Sequence, residues 1–463
     1  MSDHEEDWDT LIEVSPAETR VALVDDDGLL RRLRIDRIDN KSPVGAIYRA
    51  RVKKIEKSTA GAFVDLGAPA LGDAFLPKYP KGLSEGQLLT VQITRASDAL
   101  KGVAINTRPV LRGRYVSYYP KGGGVTLDRR CGQGRRRAEL EILAVGAKPH
   151  SGGLMVNWPA VAAEDAAVAR EIQELVGQWQ AVEVAFDKAG KPGLLLAAPD
   201  ALTLALLDAP PSGRSAVDDR RCFADMKKTA ETKWPDLLDG LLFHDPRDPI
   251  FAAAGIEAEI ELLCDRVVPI PGGGSLSIDP VEAMTVIDVN LADTAMAPDG
   301  FSGTVKLNLR AAAEVARQIE LRNLSGLIVV DFVSMRNKED RKKIVDATRK
   351  HLRTASVPTD VLGMTAAGLV EITRQRTGAG LTEQLLSPVS PAGSLPAADA
   401  AAILRKLVHM TGGGRPVVTA PADVIELLKS AFLPALEETE ARIGQKLTLE
   451  VQTSPGWDVT LQR

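Results

Sequence analysis

Short runs in which apolar and polar residues alternate, separated by glycine and proline, dominate the first 110 positions. Two such runs, at 20–24 and 29–35, flank an acidic turn at 25–28 and predict two strands too short to fold alone. Further runs lie between 45 and 106, and about five short strands in such a stretch are typical of a small Greek-key barrel of OB type. The N-terminal strands are therefore expected to pair with a later segment.

The pattern changes to longer helical periods after position 107. A glycine-rich basic stretch, KGGGVTLDRRCGQGRRR at 121–137, precedes a helix predicted after Pro159, because proline suits a first helical turn. Another helix is expected at 222–240. Residues 266–380 are predicted as strand, glycine turn, strand, helix, strand, helix. A Pro/Ser/Ala/Gly linker at 387–398 then precedes two helices and two strands, the latter around 447–452 and 457–462.

The segment VVPIPGGGSLSIDPVEAMTVIDVN at 267–290 predicts a hairpin about its three glycines, with the second run continuing to Asn290. Because side chains alternate along a strand, Asp288 and Asn290 are expected on one face. Asn308 is expected to cap the following helix, and Asn323 or Gly326 to end it. The apolar run LIVVDFV at 327–333 then predicts a strand buried on both faces.

Two aspartates lie in these consecutive strands, 43 positions apart (331 − 288). A strand, helix, strand order predicts parallel strands, which would bring Asp288 and Asp331 to the carboxyl edge of one sheet. Carboxylate oxygens suit Mg²⁺ or Mn²⁺ better than zinc. The alternative for Asp331 is a structural carboxylate that caps a loop. Asp279 and Glu282 could assist the metal site, or they could cap turns.

Composition is typical of a globular protein, with 44% hydrophobic and 26% charged residues. The acidic N-terminus lacks a signal-peptide pattern, and no apolar run reaches the length of roughly 18 residues that predicts a membrane span. Three scattered cysteines indicate a reducing cytoplasm rather than a disulfide framework. The net charge of −5 hides local basic clusters that could contact phosphate, although each alone is compatible with a solvated surface.

Beyond these patterns, the segments GGGSLSIDPVEAMTVIDVN, NLRAAAEVARQIELRNLSGLIVVDFVSM and GLVEITRQR together resemble the catalytic core of the ribonuclease E/G family. A weaker resemblance, in ETRVALVDDDGLLRRLRID and AIYRARVKKIEKSTAGAFVDLG, extends towards the N-terminus. It covers roughly 18–110 and 240–380. It implies a metal-dependent endoribonuclease that cuts single-stranded RNA in RNA processing and mRNA decay, and leaves a 5′ phosphate on the downstream fragment.

The resemblance also implies a multidomain architecture of α/β and α+β type. It comprises an RNase H-like subdomain built from 1–40 and 201–265, an OB-fold RNA-binding barrel at 41–106 and a 5′-sensor-like region at 107–200. A DNase I-like catalytic domain at 266–386 follows. The linker and a small α+β domain occupy 387–463.

Residue roles follow from the same resemblance. Asp288 and Asp331 are expected to hold Mg²⁺, with Mn²⁺ as a substitute, and Asn290 to orient the water or the scissile phosphate. Phe63, Phe75 and Lys101 are expected to contact RNA, although spacing alone also allows both phenylalanines to be core residues. Arg374 and Arg376, placed at a helix end, are expected to contact phosphate near the cut.

Three departures from the family pattern change the expectations. The region TGAGLTEQLLSPVSP at 377–391 has no cysteine, so a zinc-linked tetramer is not expected and the oligomeric state stays open. Asn157 and Trp158 occupy the place of an Arg-Thr pair that binds a 5′ monophosphate, so weak or absent 5′-monophosphate preference is expected. No long tail follows the small domain, so a degradation-complex scaffold is not expected.

A binding module that grips RNA without cutting it is the rival hypothesis. Retention of Asp288, Asn290 and Asp331 favours the enzyme, since a non-cutting relative has no need of an unpaired carboxylate cluster. A structural partner of ribosomes or of RNA-processing proteins would depend on the basic clusters alone and is the weakest hypothesis.

Overall fold

The structure is a computed structural model that describes residues 8–462 except 59, 98–101, 212, 246, 292–300, 354, 356, 377 and 387–392. Two compact units are present. The first contains the N-terminal segment to Leu29, Leu33–Ala253 and Asp399–Arg463, and the second contains Leu30–Arg32 and Ala254–Ala398. Among the helices of the described ranges, none combines the length and apolarity that crossing a bilayer requires.

Three strands open the chain: β1 (Trp8–Val14), β2 (Glu18–Asp25) and β3 (Leu30–Arg37). β1 and β2 form an antiparallel pair, and β3 extends the sheet beyond β2. Residues 20–24 of β2 are all buried, so both faces of this strand are covered and the alternation expected for the run is not observed.

The next five strands are β4 (Ile47–Glu56), β5 (Gly61–Asp65), β6 (Ala74–Pro77), β7 (Leu88–Arg95) and β8 (Ala104–Asn106). They pair in the order β4-β5-β6-β8-β7, and β7 pairs back with β4, so the sheet closes into a barrel. β6 and β8 are parallel, whereas the other pairs are antiparallel. The predicted five-stranded barrel is thus confirmed, with Val64, Leu76 and Ile105 inside it.

A small four-stranded sheet, formed by β9 to β12, and two helices follow the barrel. Their bounds are β9 (Leu111–Arg112), β10 (Val116–Tyr119), β11 (Val125–Leu127), α1 (Arg135–Ala147), β12 (Gly153–Val156), α2 (Asp165–Lys188) and β13 (Gly193–Leu196). The helix expected after Pro159 begins later, at Asp165, because Trp158–Val161 forms a 3-10 turn. β13 pairs with β4 of the barrel.

The chain then returns to its first sheet through α3 (Ala201–Asp208), β14 (Ser215–Val217), α4 (Arg220–Thr232), β15 (Leu241–Phe243) and α5 (Ile250–Ala253). β14 lies parallel between β1 and β15, giving the order β15-β14-β1-β2-β3. The N-terminal strands thus share a sheet with a later segment, as predicted. The direct pairing is made by β1, which the pattern did not predict, whereas the predicted strands β2 and β3 lie beyond it.

The second unit consists of a six-stranded sheet, called the second sheet below, and helices. Its elements are α6 (Glu257–Leu262), β16 (Val267–Pro269), β17 (Ser275–Pro280), β18 (Met284–Asn290), α7 (Phe301–Leu321), β19 (Gly326–Asp331), α8 (Lys338–Leu352), β20 (Thr359–Met364), β21 (Leu369–Arg374) and α9 (Leu381–Leu385). The order is β16-β17-β18-β19-β21-β20. Only the pair β18–β19 is parallel among these neighbours.

Burial along β19 corrects one prediction. Ile328 and Val330 are buried, Leu327 and Val329 are half-buried, and Asp331 is exposed. The strand therefore has one face in the core, where it joins a cluster with Ala312, Val315 and Ile319 of α7. Because the opposite face is open, Asp331 keeps its hydration and no large desolvation cost arises.

The start of α7 corrects a second prediction. Asn308 does not cap this helix, because the helix already begins at Phe301. Asn323, with φ +50°, follows the last helical residue and ends α7 as predicted.

The C-terminal part contains three helices and three strands, one more of each than predicted. They are α10 (Pro396–His409), β22 (Arg415–Ala420), α11 (Ala422–Lys429), α12 (Leu433–Ile443), β23 (Thr448–Val451) and β24 (Asp458–Gln462), with sheet order β23-β22-β24. Residues 396–398 of the predicted linker belong to α10, and 387–392 lie outside the described residues.

Candidate active site at the carboxyl edge of the second sheet

Two aspartates lie side by side where adjacent parallel strands end. Asp288 on β18 and Asp331 on β19 are register partners. Neighbouring strands are about 4.8 Å apart, so side chains at paired positions of one face can reach a common ligand. Both aspartates are exposed. The predicted convergence of these two positions at one sheet edge is confirmed, whereas their metal-binding role stays a prediction.

Asn290 shares the open face with Asp288, since Ile287 and Val289 between and beside them are buried. Its amide nitrogen donates a hydrogen bond to Ser277 Oγ at 3.2 Å. Ser277 is in turn the register partner of Asp288 on β17. This hydrogen bond fixes the orientation of the Asn290 amide. Because the amide nitrogen donates to Ser277, the amide oxygen is the atom suited to bind a cation or a water.

Gly274 holds the backbone of Asn290 in place. Its φ is +88°, and a Cβ there would lie 2.8 Å from the carbonyl oxygen of Asn290. A larger residue would therefore push the β16–β17 turn away from the end of β18.

Asn308 has a positioning role that the sequence pattern did not reveal. It is buried within α7, where its amide nitrogen donates to the carbonyl of Val333 at 2.8 Å and its oxygen accepts from the Val333 N–H at 3.1 Å. This double hydrogen bond fixes the chain immediately after Asp331. An Asn in a helix interior, about one turn before the apolar residue Ala312, was the available signal.

A guanidinium lies close enough to Asp288 to interact with its charge. Arg266 makes a two-pronged ion pair with Asp279, through Nε at 2.5 Å and Nη2 at 2.6 Å. The hydrogen bond that Arg266 donates to Asp279 raises the pKa of Arg266, and the negative charge of Asp288 adds to the rise. The hydrogen bond from Arg266 lowers the pKa of Asp279. Asp279 is thus an ion-pair partner rather than a turn cap, and Glu282 is exposed at the opposite end of β18.

The two predicted phosphate-binding arginines have different environments. Arg374 is the last residue of β21, not a helix end, and only 3% of its surface is exposed. Its guanidinium donates to Glu320 at 2.8 Å, Asn323 at 2.7 Å and the carbonyl of Leu324 at 3.0 Å. The placement of Arg374 at a helix end is therefore wrong. Its two Nη atoms are taken up by these buried contacts, whereas its Nε has no hydrogen-bond partner among the described residues. The phosphate contact itself stays a prediction.

Arg376 follows the strand and is about one-third exposed. Its Nη2 pairs with Glu383 at 2.9 Å. A partly exposed guanidinium can exchange a carboxylate for a phosphate, so its predicted contact stays open.

A basic groove lies at the same edge of the second sheet. Lys338, Arg341 and Lys342 on α8, with Met364 and Thr365, line a cavity of about 270 Å³. The N–H of Thr365 donates to the carbonyl of Leu369, which is the register partner of Asp331. One residue that lines the groove is therefore hydrogen-bonded to the register partner of Asp331.

On the barrel of the first unit, Phe63 and Phe75 lie opposite each other on adjacent strands. Their ring centroids are 5.6 Å apart, and 39% of Phe63 is exposed while Phe75 is half-buried. The expectation that they share an outer face is confirmed for this pair, which excludes the core alternative for Phe63. Lys101 lies outside the described residues.

Asn157 and Trp158, placed in the predicted 5′-sensor region, make protein contacts. The Asn157 amide donates to the carbonyl of Gly113 at 2.9 Å and accepts from the Ser117 hydroxyl at 3.2 Å. The Arg130 guanidinium lies 5.0 Å from the centre of the Trp158 ring, but it also donates to Asp128 at 2.8 Å. This guanidinium is thus already paired with a carboxylate.

Comparison with known proteins links this arrangement to one family. Residues 110–377, more than half of the chain, match the Ribonuclease E/G family. The chain belongs to the ribonuclease E/G family. The match includes 110–240, a region in which the sequence motifs alone gave a poor resemblance.

Individual members of the family align over most of the chain. Ribonuclease G of Escherichia coli strain K12 is 28% identical over 478 aligned positions, which cover 96% of both chains. Ribonuclease G of Haemophilus influenzae is 27% identical with the same coverage. Ribonuclease E of Nostoc sp. is 31% identical over 73% of this chain and 52% of its own length. The family assignment therefore extends to both units.

Proposed function

We propose that this protein is an endoribonuclease that uses Mg²⁺ to hydrolyse internal phosphodiesters of single-stranded RNA in RNA processing. The family supports the endoribonuclease activity. The observation that carries the metal dependence is the register pairing of Asp288 with Asp331 on adjacent parallel strands, both exposed on an open face. From the resemblance to the family, we also assign the first sheet to an RNase H-like subdomain and the second unit to a DNase I-like one.

The donor set fits the proposed ion. Two carboxylates and the Asn290 amide oxygen are hard oxygen ligands, which suit Mg²⁺ or Mn²⁺ and leave room for coordinated water. When bound, Mg²⁺ supplies Lewis acidity and lowers the pKa of a coordinated water. Asp288 and Asp331 would hold the ion.

The chain's own groups then position the substrate. Asn290, fixed by Ser277, orients a water or a phosphate oxygen beside the carboxylates. Arg266, which is paired with Asp279, would add positive charge near Asp288 and the scissile phosphate. Lys338 and Lys342 in the basic groove would neutralise neighbouring phosphates. Attack of water would leave the 5′ phosphate on the downstream fragment.

The runner-up function is an RNA-binding paralogue that does not cut, supported by the exposed aromatic pair on the barrel. Incubating the purified protein with labelled single-stranded RNA, with Mg²⁺ and with EDTA, separates the two. The enzyme gives internal fragments only with Mg²⁺. Retention of intact RNA with Mg²⁺, Mn²⁺ and Ca²⁺ would establish the non-cutting alternative.

Substituting Phe63→Ala is expected to raise KM for RNA by about 5- to 150-fold with little change in kcat, because base stacking contributes about 1–3 kcal/mol per base. Steady-state cleavage of a short oligonucleotide measures this. Phe243→Ala is the matched control, since that ring is similarly exposed (37%) and pairs with Phe223 at 5.7 Å. Equal effects of the two variants would remove the stacking assignment.

We expect RNAs with a 5′ monophosphate and a 5′ hydroxyl to be cleaved at rates within about threefold of each other. The arginine expected to bind a 5′ monophosphate is replaced by Asn157, whose amide donates to a backbone carbonyl. The guanidinium of Arg130 is paired with Asp128. Single-turnover rates on two oligonucleotides that differ only at the 5′ end measure the ratio. A preference for the monophosphate above about tenfold would show that another cation binds the 5′ end.

A further inference from the structure

Three metal-ligating side chains outside the nuclease site converge in the first unit. The candidate ligand atoms of Glu13, Asp218 and His409 all lie within 4.8 Å of one another. Glu13 is next to the last residue of β1, Asp218 follows β14, and His409 is the last residue of α10. The cluster therefore joins the first sheet to a helix from the C-terminal part of the same unit.

The two carboxylates occupy the same topological position as Asp288 and Asp331. β1 and β14 are adjacent parallel strands, with Ile12 paired to Val217, so Glu13 and Asp218 follow one another in register at the carboxyl ends. This edge is where open α/β sheets bind ligands.

Charge compensation in the cluster is incomplete at Asp218. Glu13 pairs with Arg20, with Nε at 2.6 Å from the carboxylate, and lies 3.6 Å from Arg405, which also pairs with Glu18. The guanidiniums of Arg20 and Arg405 thus neutralise the carboxylates of Glu13 and Glu18. Asp218 has no ion-pair partner among the described residues.

Asp218 is also a buried carboxylate with an unsatisfied atom. Only 3% of the residue is exposed, and its Oδ1 accepts from the Val14 N–H at 2.8 Å. Its Oδ2 is buried without a hydrogen-bond partner in the described structure. Burial raises the pKa of Asp218 to about 7. A buried carboxylate oxygen without a donor is costly unless a cation or a donor completes it.

We propose that Glu13, Asp218 and His409 form a site for one Zn²⁺ ion, distinct from the nuclease centre, which fastens α10 to the first sheet. One imidazole nitrogen and two carboxylate oxygens form a mixed set that zinc accepts, with a fourth position for water. Bonds of about 2.0–2.1 Å place tetrahedral ligand atoms about 3.4 Å apart, so modest side-chain rotation closes the observed cluster.

The test uses the full-length chain carrying Asp288→Asn and Asp331→Asn, so that the proposed nuclease site cannot bind the titrant. After EDTA treatment and buffer exchange, Zn²⁺ is titrated by calorimetry, and thermal unfolding is followed by circular dichroism. One equivalent is expected to bind and to raise the Tm. Adding His409→Ala or Asp218→Asn is expected to weaken binding at least about tenfold and to abolish the shift.

The exposed His150, replaced by alanine in the same background, is the control and is expected to bind Zn²⁺ unchanged. His409→Gln replaces the alanine variant if circular dichroism shows that variant to be unfolded. Absence of saturable Zn²⁺ binding in the background protein overturns the proposal. Unchanged affinity in both the His409 and Asp218 variants also overturns it. Neither result bears on RNA cleavage, which is measured with the wild-type chain.

Discussion

Replacing Asp331 by asparagine is expected to lower kcat by about two to three orders of magnitude or more. The substitution removes one of the two charges that face each other across β18 and β19. A metal ion contributes several kcal/mol of transition-state stabilisation, and about 1.4 kcal/mol corresponds to a tenfold change in rate. Asp288→Asn is expected to have a similar effect. Cleavage of labelled RNA under saturating substrate measures both.

Because both aspartates are exposed, neither variant should lose much stability. Glu282→Gln is the matched control, since it removes an exposed carboxylate from the opposite end of β18 and should leave kcat unchanged. Partial rescue of the asparagine variants by Mn²⁺ would agree with a metal role. If Asp331→Asn cuts as fast as the wild type, the assignment of Asp331 is wrong.

Substituting Arg374→Ala is expected to lower the free energy of unfolding by about 3–5 kcal/mol, because it leaves the half-buried Glu320 without its closest cation and removes two further hydrogen bonds. Urea denaturation measures the loss. Protein that remains folded should keep the wild-type KM for RNA, since the side chain is buried under β21 and α7.

Arg376→Ala provides the contrast. Its ion pair with Glu383 is on the surface, so the cost in unfolding free energy should be at most about 1 kcal/mol. A rise in KM for Arg376→Ala would support the phosphate contact predicted from the sequence. A rise in KM without loss of stability for Arg374→Ala would contradict the structural role assigned to that residue.

Local patterns predicted the elements that position the carboxylates. Alternation placed Asp288 and Asn290 on one face, and the strand, helix, strand order made β18 and β19 parallel neighbours. Turn chemistry predicted the hairpin before them and the helix end at Asn323. The alternation, the hairpin and the helix end each depend on residues within a few positions of one another. The pairing of β18 with β19 is longer in range and follows from the rule that a strand, helix, strand crossover joins parallel strands.

Long-range partners could not be read in the same way. The sequence predicted Asn308 as a helix cap. Its actual role, a hydrogen bond to Val333, could not be predicted because that bond depends on how α7 packs on the sheet. The buried contacts of Arg374 could not be predicted, because its partners Glu320 and Asn323 are more than fifty positions away. The apolar run at 327–333 predicted a strand buried on both faces, but only one face of β19 is fully buried. Which face of a sheet is covered depends on tertiary packing, and a local apolar run does not contain that information.

A crystal soaked in Mn²⁺ and measured at an anomalous wavelength tests the metal assignment most directly. The account predicts one strong peak between the side chains of Asp288 and Asp331, about 2.0–2.2 Å from an oxygen of each. A peak bound to only one of them, or carboxylates that turn apart with no density between them, would contradict it.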